Sequence, residues 1–547
     1  MELESWPRSP KATYDANLEE SFSLIREPCT PETRTSILAD IYNWATNFSP
    51  DTPSIFWLTG EAGSGKSTLA YTVAEHFDGD GNILGGNFFC SRQFEETRQQ
   101  RNIIPTIVYQ LARKSGSYAQ ALLNADKLDS VGRILSKQMK DLLVGPWQQS
   151  ISERSSEFPP YLVIVDALDE INDQGGSGFL KELLDTINVV GLRGLKFLVT
   201  SRPDPNIARL CASFASKAVC RLYDVPRATV QADIMTYLRA KLPALKECEE
   251  LTKLAHKADG LFIYAATAVR YITPRPEMTE DEQLQLMGEL LDDVSSVFES
   301  ADTPSLVDNL YKQVLWAAFS KLNNSLFRTR LNVLHTILCT QERVSTSVAA
   351  ALLSDSNKMR DVADVVVKDL HAVLYVKDGC VLWYHASFPD FIFTQTRSKF
   401  TIPSSTTDRV VDMSCDKASH HALLTRSCFN IMMSSSGLRF NICQLPSSFL
   451  FDSEVPNFDL LIQENIPHIL RYCSRYWAQH LAQAKQDELN VLFTHIGQFL
   501  TMHVLFWIEV MNLLESSALC SLMLQQARKR VLEVRILSFM CIFTNAH

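Results

Sequence analysis

The feature that most constrains this chain is the stretch IFWLTGEAGSGKSTLA at 55–70. The apolar run SIFWL reads as a strand buried on both faces. It breaks into GEAGSGKS, which fits G-x-x-x-x-G-K-[ST] from Gly60 to Ser67. Beyond it, Leu69, Ala70, Val73, Ala74 and Phe77 recur at helical spacing. Strand, glycine-rich turn and helix in that order predict a phosphate cradle inside an α/β sheet.

That chemistry needs these residue types. Gly60, Gly63 and Gly65 let the backbone turn tightly, so that N–H groups of the loop, including Glu61, Ala62 and Ser64, converge on phosphate oxygens. The helix adds the positive end of its dipole. Lys66 has the reach for the β- and γ-phosphates, and Ser67 offers a hydroxyl to Mg²⁺. Thr68, at the helix start, serves as a cap or as a further phosphate contact.

A second signal is YLVIVDALDE at 161–170. Tyr161 to Val165 form a buried-strand pattern, and acids stand where the strand should end. Ligands of doubly wound sheets sit at the carboxyl ends of the strands. Asp166 is therefore placed to hold Mg²⁺, and Asp169 and Glu170 to polarise an attacking water. The alternative is a helix start that favours acids. A third run, GLKFLVTSRPDPNI at 194–207, ends in Thr200, Ser201 and Arg202. A strand beside the acidic one would bring Arg202 near the γ-phosphate, where its planar fork suits phosphate oxygens. The segment 85–112 adds a strand, a polar loop near the site, and a helix. The region 55–210 thus reads as strands alternating with helices, a parallel sheet with helices on both faces.

At 547 residues the chain has room for about three to five domains. Its net charge of −10 disfavours a general nucleic-acid or anionic-membrane binder. Thirteen scattered cysteines with no CxxC pair, and a start, MELESWPRSP, without an apolar signal, predict reduced thiols and a cytoplasmic protein. The apolar stretch 503–524 carries Glu509 and Glu515, so a buried helix pair is expected there rather than a membrane span.

Together, GEAGSGKS, VDALDE, VTSRP and the upstream EPCTPETRTSILADIYNWA resemble the NACHT proteins of the STAND class of P-loop switch ATPases, most of all their fungal set. The resemblance covers roughly residues 15–525. It implies an N-terminal arm (1–26), a P-loop NTPase domain (27–222), a small helical domain (223–300), a winged-helix domain (301–400) and an all-α arm (401–547). It also implies that Thr33 and Arg34 lie by the adenine, although TPETR by itself reads as a helix start with Thr30 as cap and Pro31 in the first turn. VKDGC reads as a hairpin turn. His385, in YHASFPDFI, takes the place of a histidine that contacts the β-phosphate of ADP in related animal proteins; the alternative is a core histidine capping a helix.

The function so implied is a switch that binds ATP or ADP, or GTP in their place, with Mg²⁺. It would hydrolyse slowly and, once opened, form a homo-oligomer or co-assemble with related NACHT proteins. The alternative is a non-hydrolysing nucleotide-binding scaffold, or a truncated regulator that joins longer relatives. The unpartnered apolar tail LSFMCIFTNAH, the absence of C-terminal repeats, and the lack of room for an N-terminal effector suit the latter. A DNA-remodelling motor is disfavoured by the acidic balance and the lack of a basic stripe.

Overall fold

The computed structural model describes residues 6–544 apart from 7, 17–25, 48, 50, 80–81, 126, 152–159, 214–216, 292–304, 355, 403–408 and 448. Part of the expected N-terminal arm therefore lies outside the described residues. Five strands, β1 (Ile55–Thr59), β2 (Leu84–Phe89), β3 (Tyr161–Asp166), β4 (Leu195–Ser201) and β5 (Lys217–Arg221), form one sheet in the order β2-β3-β4-β1-β5. Every neighbouring pair is parallel. β1 and β4 are buried along their whole length, which is why they appear in sequence as largely apolar runs, interrupted in β4 by Lys196.

Alternate residues of each strand feed two separate cores. Val163 and Val165 join Phe88, Phe197, Ile107 and Leu180 on one face, while Leu162 and Ile164 join Leu69, Val73 and Ile41 on the other. Helices Ile103–Lys114 and Gly175–Val189 supply the first, and Thr35–Thr46 and Lys66–Gly79 the second. The described part of the N-terminal arm packs on this unit: Trp6 Nε1 donates to the Pro105 carbonyl at 3.1 Å, and Tyr14 N–H to Asn87 Oδ1 of the edge strand at 2.7 Å.

Helices Arg227–Lys241, Glu249–Ala258 and Phe262–Ile272 come next, with the expected break at Gly260, whose φ is +85°. After them come Leu306–Phe319, Asn324–Cys339, Thr346–Ala351 and Asn357–Asp369, then an antiparallel hairpin of β6 (Leu374–Lys377) and β7 (Cys380–Trp383). Its turn residues Asp378 and Gly379 have φ of +50° and +74°, the two-residue turn that VKDGC predicts. Short helix Ser387–Ile392 and a second hairpin, β8 (Lys399–Ile402) with β9 (Arg409–Asp412), lead into the helices from Lys417–Met432 to Ala518–Thr544. The second hairpin stands at the start of the arm that the resemblance implies to be all-α, ahead of its helices. One continuous apolar core runs through all of this, from Val230 to Ala527.

One local expectation changes. The helix after CTPETR begins at Thr35, not at Pro31; Thr30 to Arg34 form a turn in which Arg34 is left-handed, with φ +55°. Among the described residues no single helix is long and apolar enough to cross a membrane; the pair Leu492–Met502 and Val504–Leu513 meets that test only jointly and is bent by 74°.

Candidate functional site

The strand order places β4 between the strand that leads into the glycine loop and the strand that ends in acids. Thr59 faces Ser201, and Val165 faces Val199. Hydroxyls and an arginine at the end of β4 therefore fill the gap between loop and acids. Thr200 Oγ1 donates to Asp166 Oδ1 at 2.6 Å and accepts from Ala167 N–H at 2.9 Å. Ser67 bonds the same carboxyl. Asp166 is buried, and burial raises its pKa above the usual carboxylate range, against the pull of Thr200 and Ser67. Two hard oxygen ligands, Ser67 and Asp166, meet here, which is the donor set Mg²⁺ takes.

The glycine loop turns as predicted. Gly63 and Gly65 have φ of +79° and +93°, conformations that side chains other than glycine rarely adopt. A Cβ on Gly63 would lie 2.1 Å from Ile263 Cγ2, and Ile263 N–H donates to the Gly63 carbonyl at 3.1 Å. The loop is thus held from outside by helix Phe262–Ile272. Lys66 Nζ donates to the carbonyls of Gly60 at 2.7 Å and Glu61 at 2.9 Å. Burial lowers its pKa, while Asp169 and Asp166 pull the other way.

Around the loop lies one cavity of about 410 Å³, a size that suits a small ligand. Ala62, Gly63, Gly65, Lys66, Ser67 and Thr68 line it, as do Asp166, Asp169, Glu170, Arg202, Thr33, Arg34 and His385. Gly60, Glu61 and Ser64 do not line it. Their carbonyls face inward to the loop instead: the first two hold Lys66, and Ser64 accepts from Arg34 Nη2 at 3.0 Å.

The acids divide their work. Asp169 takes Arg202, through the backbone N–H at 2.9 Å and through Nε at 3.2 Å. Glu170 Oε2 accepts from the Arg92 N–H at 3.1 Å. Desolvation, and then the neighbouring Asp169, push the Glu170 carboxyl up to about 7, the range in which a general base works at neutral pH. Arg202 reaches further than the sequence suggests: its Nη1 donates to Asp390 Oδ2 at 3.0 Å, and Arg92 Nη1 donates to Asp390 Oδ1 at 3.0 Å. One carboxylate of helix Ser387–Ile392 thus clamps two arginines of the sheet unit.

His385 sits at the same junction. Ser387 N–H donates to its Nδ1 at 3.1 Å, so that nitrogen is the acceptor and Nε2 carries the proton. Burial, with Arg202, Lys66 and Arg270 nearby, drives its pKa down to about 3. The ring is a neutral donor at the cavity wall. It also contacts the Ser387 hydroxyl at 2.8 Å, so it keeps part of the capping role that the sequence leaves as its alternative.

Several lining residues escape a motif reading. Arg270 lies on GLFIYAATAVR, which reads only as core helix; it stacks its guanidinium 3.9 Å from the Tyr384 ring centre, and burial lowers its pKa. Arg26, Tyr237 and Gln93 also line the cavity. Gln93 belongs to the polar loop after β2, which the alternation of strand and helix does place near the site. Arg92 lies in the same loop and Asp390 in the YHASFPDFI stretch, but their pairing has no sequence signal, because they meet only through the tertiary fold.

A family model described as Nephrocystin 3, N-terminal, matches residues 32–202, from the turn before the first helix to the end of β4. A comparison with the curated proteins gives no match. Domain III of the Thermotoga maritima replication initiation protein DnaA is similar at 14% identity and a TM-score of 0.29, over 52% of this chain and 99% of that one. A Walker-type ATPase of Pyrococcus abyssi is similar at 11% identity and TM-score 0.33, over 67% and 98%. The Aeropyrum pernix ORC2 protein, solved as ADPNP-ADP complexes, is similar at 14% and 0.29, over 67% and 93%. These likenesses assign no role to any residue here. The parallel sheet, its strand order and the glycine loop at the end of β1 together make residues 55–221 a P-loop NTPase fold, followed by a helical region.

Proposed function

We propose that this chain is a nucleotide-operated switch of the NACHT kind, within the STAND class, and that the closed arrangement described above is its ADP-holding state. One observation carries this reading: a single cavity is walled by the phosphate loop, by helix Phe262–Ile272 and by the segment that holds His385. A ligand filling it touches three units at once, so its phosphates bias how those units sit.

The roles follow from the side chains. Loop N–H groups and Lys66 hold the phosphates, and Lys66 exchanges its Gly60 and Glu61 carbonyls for phosphate oxygens. Ser67 and Asp166 hold Mg²⁺, which would neutralise phosphate charge. Nε2–H of His385 donates to a phosphate oxygen from across the junction. Thr33 and Arg34, with Tyr237 and Phe262, also line the cavity, and the nucleotide base is assigned to them. Glu170 accepts the proton of the attacking water, and Arg202, once released from Asp390, stabilises charge at the γ-phosphate. ATP or ADP is the ligand, with GTP the alternative. Opening exposes faces for a homo-oligomer or for co-assembly with relatives, in the cytoplasm.

The test is the nucleotide content and turnover of the purified chain beside Lys66→Ala and Glu170→Gln. The expected result is bound ADP and slow hydrolysis in the wild type, no nucleotide in Lys66→Ala, and binding without turnover in Glu170→Gln. Binding with no turnover in the wild type favours the scaffold. Failure of the wild type to bind ATP, ADP or GTP overturns both.

A further inference from the structure

Far from the cavity, at the junction between the hairpin-bearing region and the C-terminal helices, three metal-ligating side chains, His335, Cys415 and His420, converge in the apolar core, and a fourth, Cys339, adjoins Cys415. Helix Asn324–Cys339 supplies His335 and Cys339, four residues apart and so on one face. Cys415 comes just after β9, and His420 stands in the first turns of helix Lys417–Met432. All four are buried, the least so only 6% exposed. His335, Cys415 and His420 each place a ligand atom within 4.8 Å of the others'. Cys339 Sγ lies 3.9 Å from Cys415 Sγ, against about 3.8 Å for two sulfurs on one tetrahedral zinc ion. The two imidazoles stand at 89° with centroids 5.8 Å apart, so they approach the point between them from different directions.

We infer that His335, Cys339, Cys415 and His420 form a Cys₂His₂ site for a structural divalent metal ion, zinc above all. The surroundings fit. His335 Nε2 lies 3.1 Å from the Met413 carbonyl, and His420 Nε2 lies 3.0 Å from Thr336 Oγ1. Ligating histidines are oriented by such bonds from the ring nitrogen that does not bind the metal, which assigns Nδ1 of each ring to the ion. The Cys415 thiol already bonds His335. Two thiolates and two neutral imidazoles balance the charge of a divalent ion, which removes the cost of burying it. A neighbouring histidine pair shows the contrast: His421 and His480 contact each other through Nδ1 at 2.8 Å, and Tyr472 OH lies 2.7 Å from His480 Nε2. That pair spends Nδ1 of both rings on each other and includes no thiol. The four-residue cluster would tie helix Asn324–Cys339 to helix Lys417–Met432 across the second hairpin.

The experiment is metal analysis of the full, untagged chain purified under reducing conditions, followed by exchange of Co²⁺ into it. The expected result is about one zinc per chain, and a cobalt form with thiolate charge-transfer bands and the strong visible bands of four-coordinate Co²⁺. Cys339→Ser and Cys415→Ser should lose or weaken these bands, while Cys443→Ser and His421→Ala keep them. If the ligand variants do not fold, the wild-type cobalt spectrum decides alone. A reduced wild-type chain that binds neither zinc nor cobalt overturns the inference. So does full metal retention in the Cys339→Ser/Cys415→Ser double variant, or a Cys339–Cys415 disulfide in the reduced preparation.

Discussion

The sheet unit and the helical two-thirds of the chain are built by the same force, but the seam between them is not. The first has an apolar core on each face of β1–β5, and the second has one core from Val230 to Ala527. At the seam, by contrast, the contacts are mostly polar. Asp390 clamps Arg92 and Arg202. Gln93 pairs its amide with both backbone groups of Trp383, at 3.1 and 3.0 Å. Asp233 accepts from Arg34 N–H at 3.2 Å. Among the described residues, Phe94, Tyr375 and Leu382 form a small apolar patch, and Ile263 packs against Gly63. Apolar burial makes each part durable, whereas hydrogen bonds and ion pairs, worth about 1 kcal/mol net apiece, are exchangeable for water. The molecule is thus rigid within its parts and adjustable between them.

The comparison breaks first if the parts are not apolar-driven. Trp477 is fully buried against Phe429, Phe499 and Trp507. Trp477→Ala should cost about 3–5 kcal/mol of stability in chemical denaturation. Lys66→Ala should leave that stability nearly unchanged and weaken nucleotide binding by about 3 kcal/mol, read by calorimetry. A comparable loss of denaturation stability in Lys66→Ala would mean that the cavity also supports the core.

Seam variants sharpen the picture. Gln93→Ala should loosen the seam by about 1–3 kcal/mol, because the Trp383 backbone groups lose their partners in a buried place. Asp390→Asn should act by about 1 kcal/mol, since its arginine partners are partly exposed and screened. Limited proteolysis and small-angle scattering should report opening in both, more strongly for Asp390→Asn as salt falls.

The smallest net effect is the pH dependence of the wild type, because two desolvated groups pull it in opposite directions. His385 is held down to about 3, so its contribution is present above its ordinary value near 6.5 and drains away as pH falls toward 3. Glu170 is held up to about 7, so its contribution is present below its ordinary value near 4.5 and is lost as pH rises to 7. Between about pH 4.5 and 6.5 the two slopes oppose each other. Relative to the wild type, closed-state stability should rise on acidification in His385→Gln and fall in Glu170→Gln. Equal slopes in both variants would deny these groups the assigned environments.

Much of this was legible in sequence, for physical reasons. β1, β3 and β4 lie buried on both faces, so their runs are largely apolar, with Lys196 the break in β4, and the loop glycines are fixed by backbone conformation. Asp166, Asp169, Glu170 and Arg202 are readable because strand ends of such sheets converge. Arg34 reached the cavity wall by a left-handed turn rather than by the helix start its sequence suggests. Arg270 hides in a run whose small apolar residues serve packing. Asp390 stands in the YHASFPDFI stretch, but its partner Arg202 is 188 positions away, so the clamp itself arises only when the units close.

The lock on Gly63 has a temporal side. The Ile263 side chain occupies the space beside that glycine, and its N–H bonds the loop carbonyl. The phosphate loop therefore cannot shift unless helix Phe262–Ile272 swings with it. Ligand residence time is then governed by how often a whole helix departs, not by how tightly phosphate is gripped, and a change at Ile263 would alter the exchange rate while leaving every phosphate contact in place.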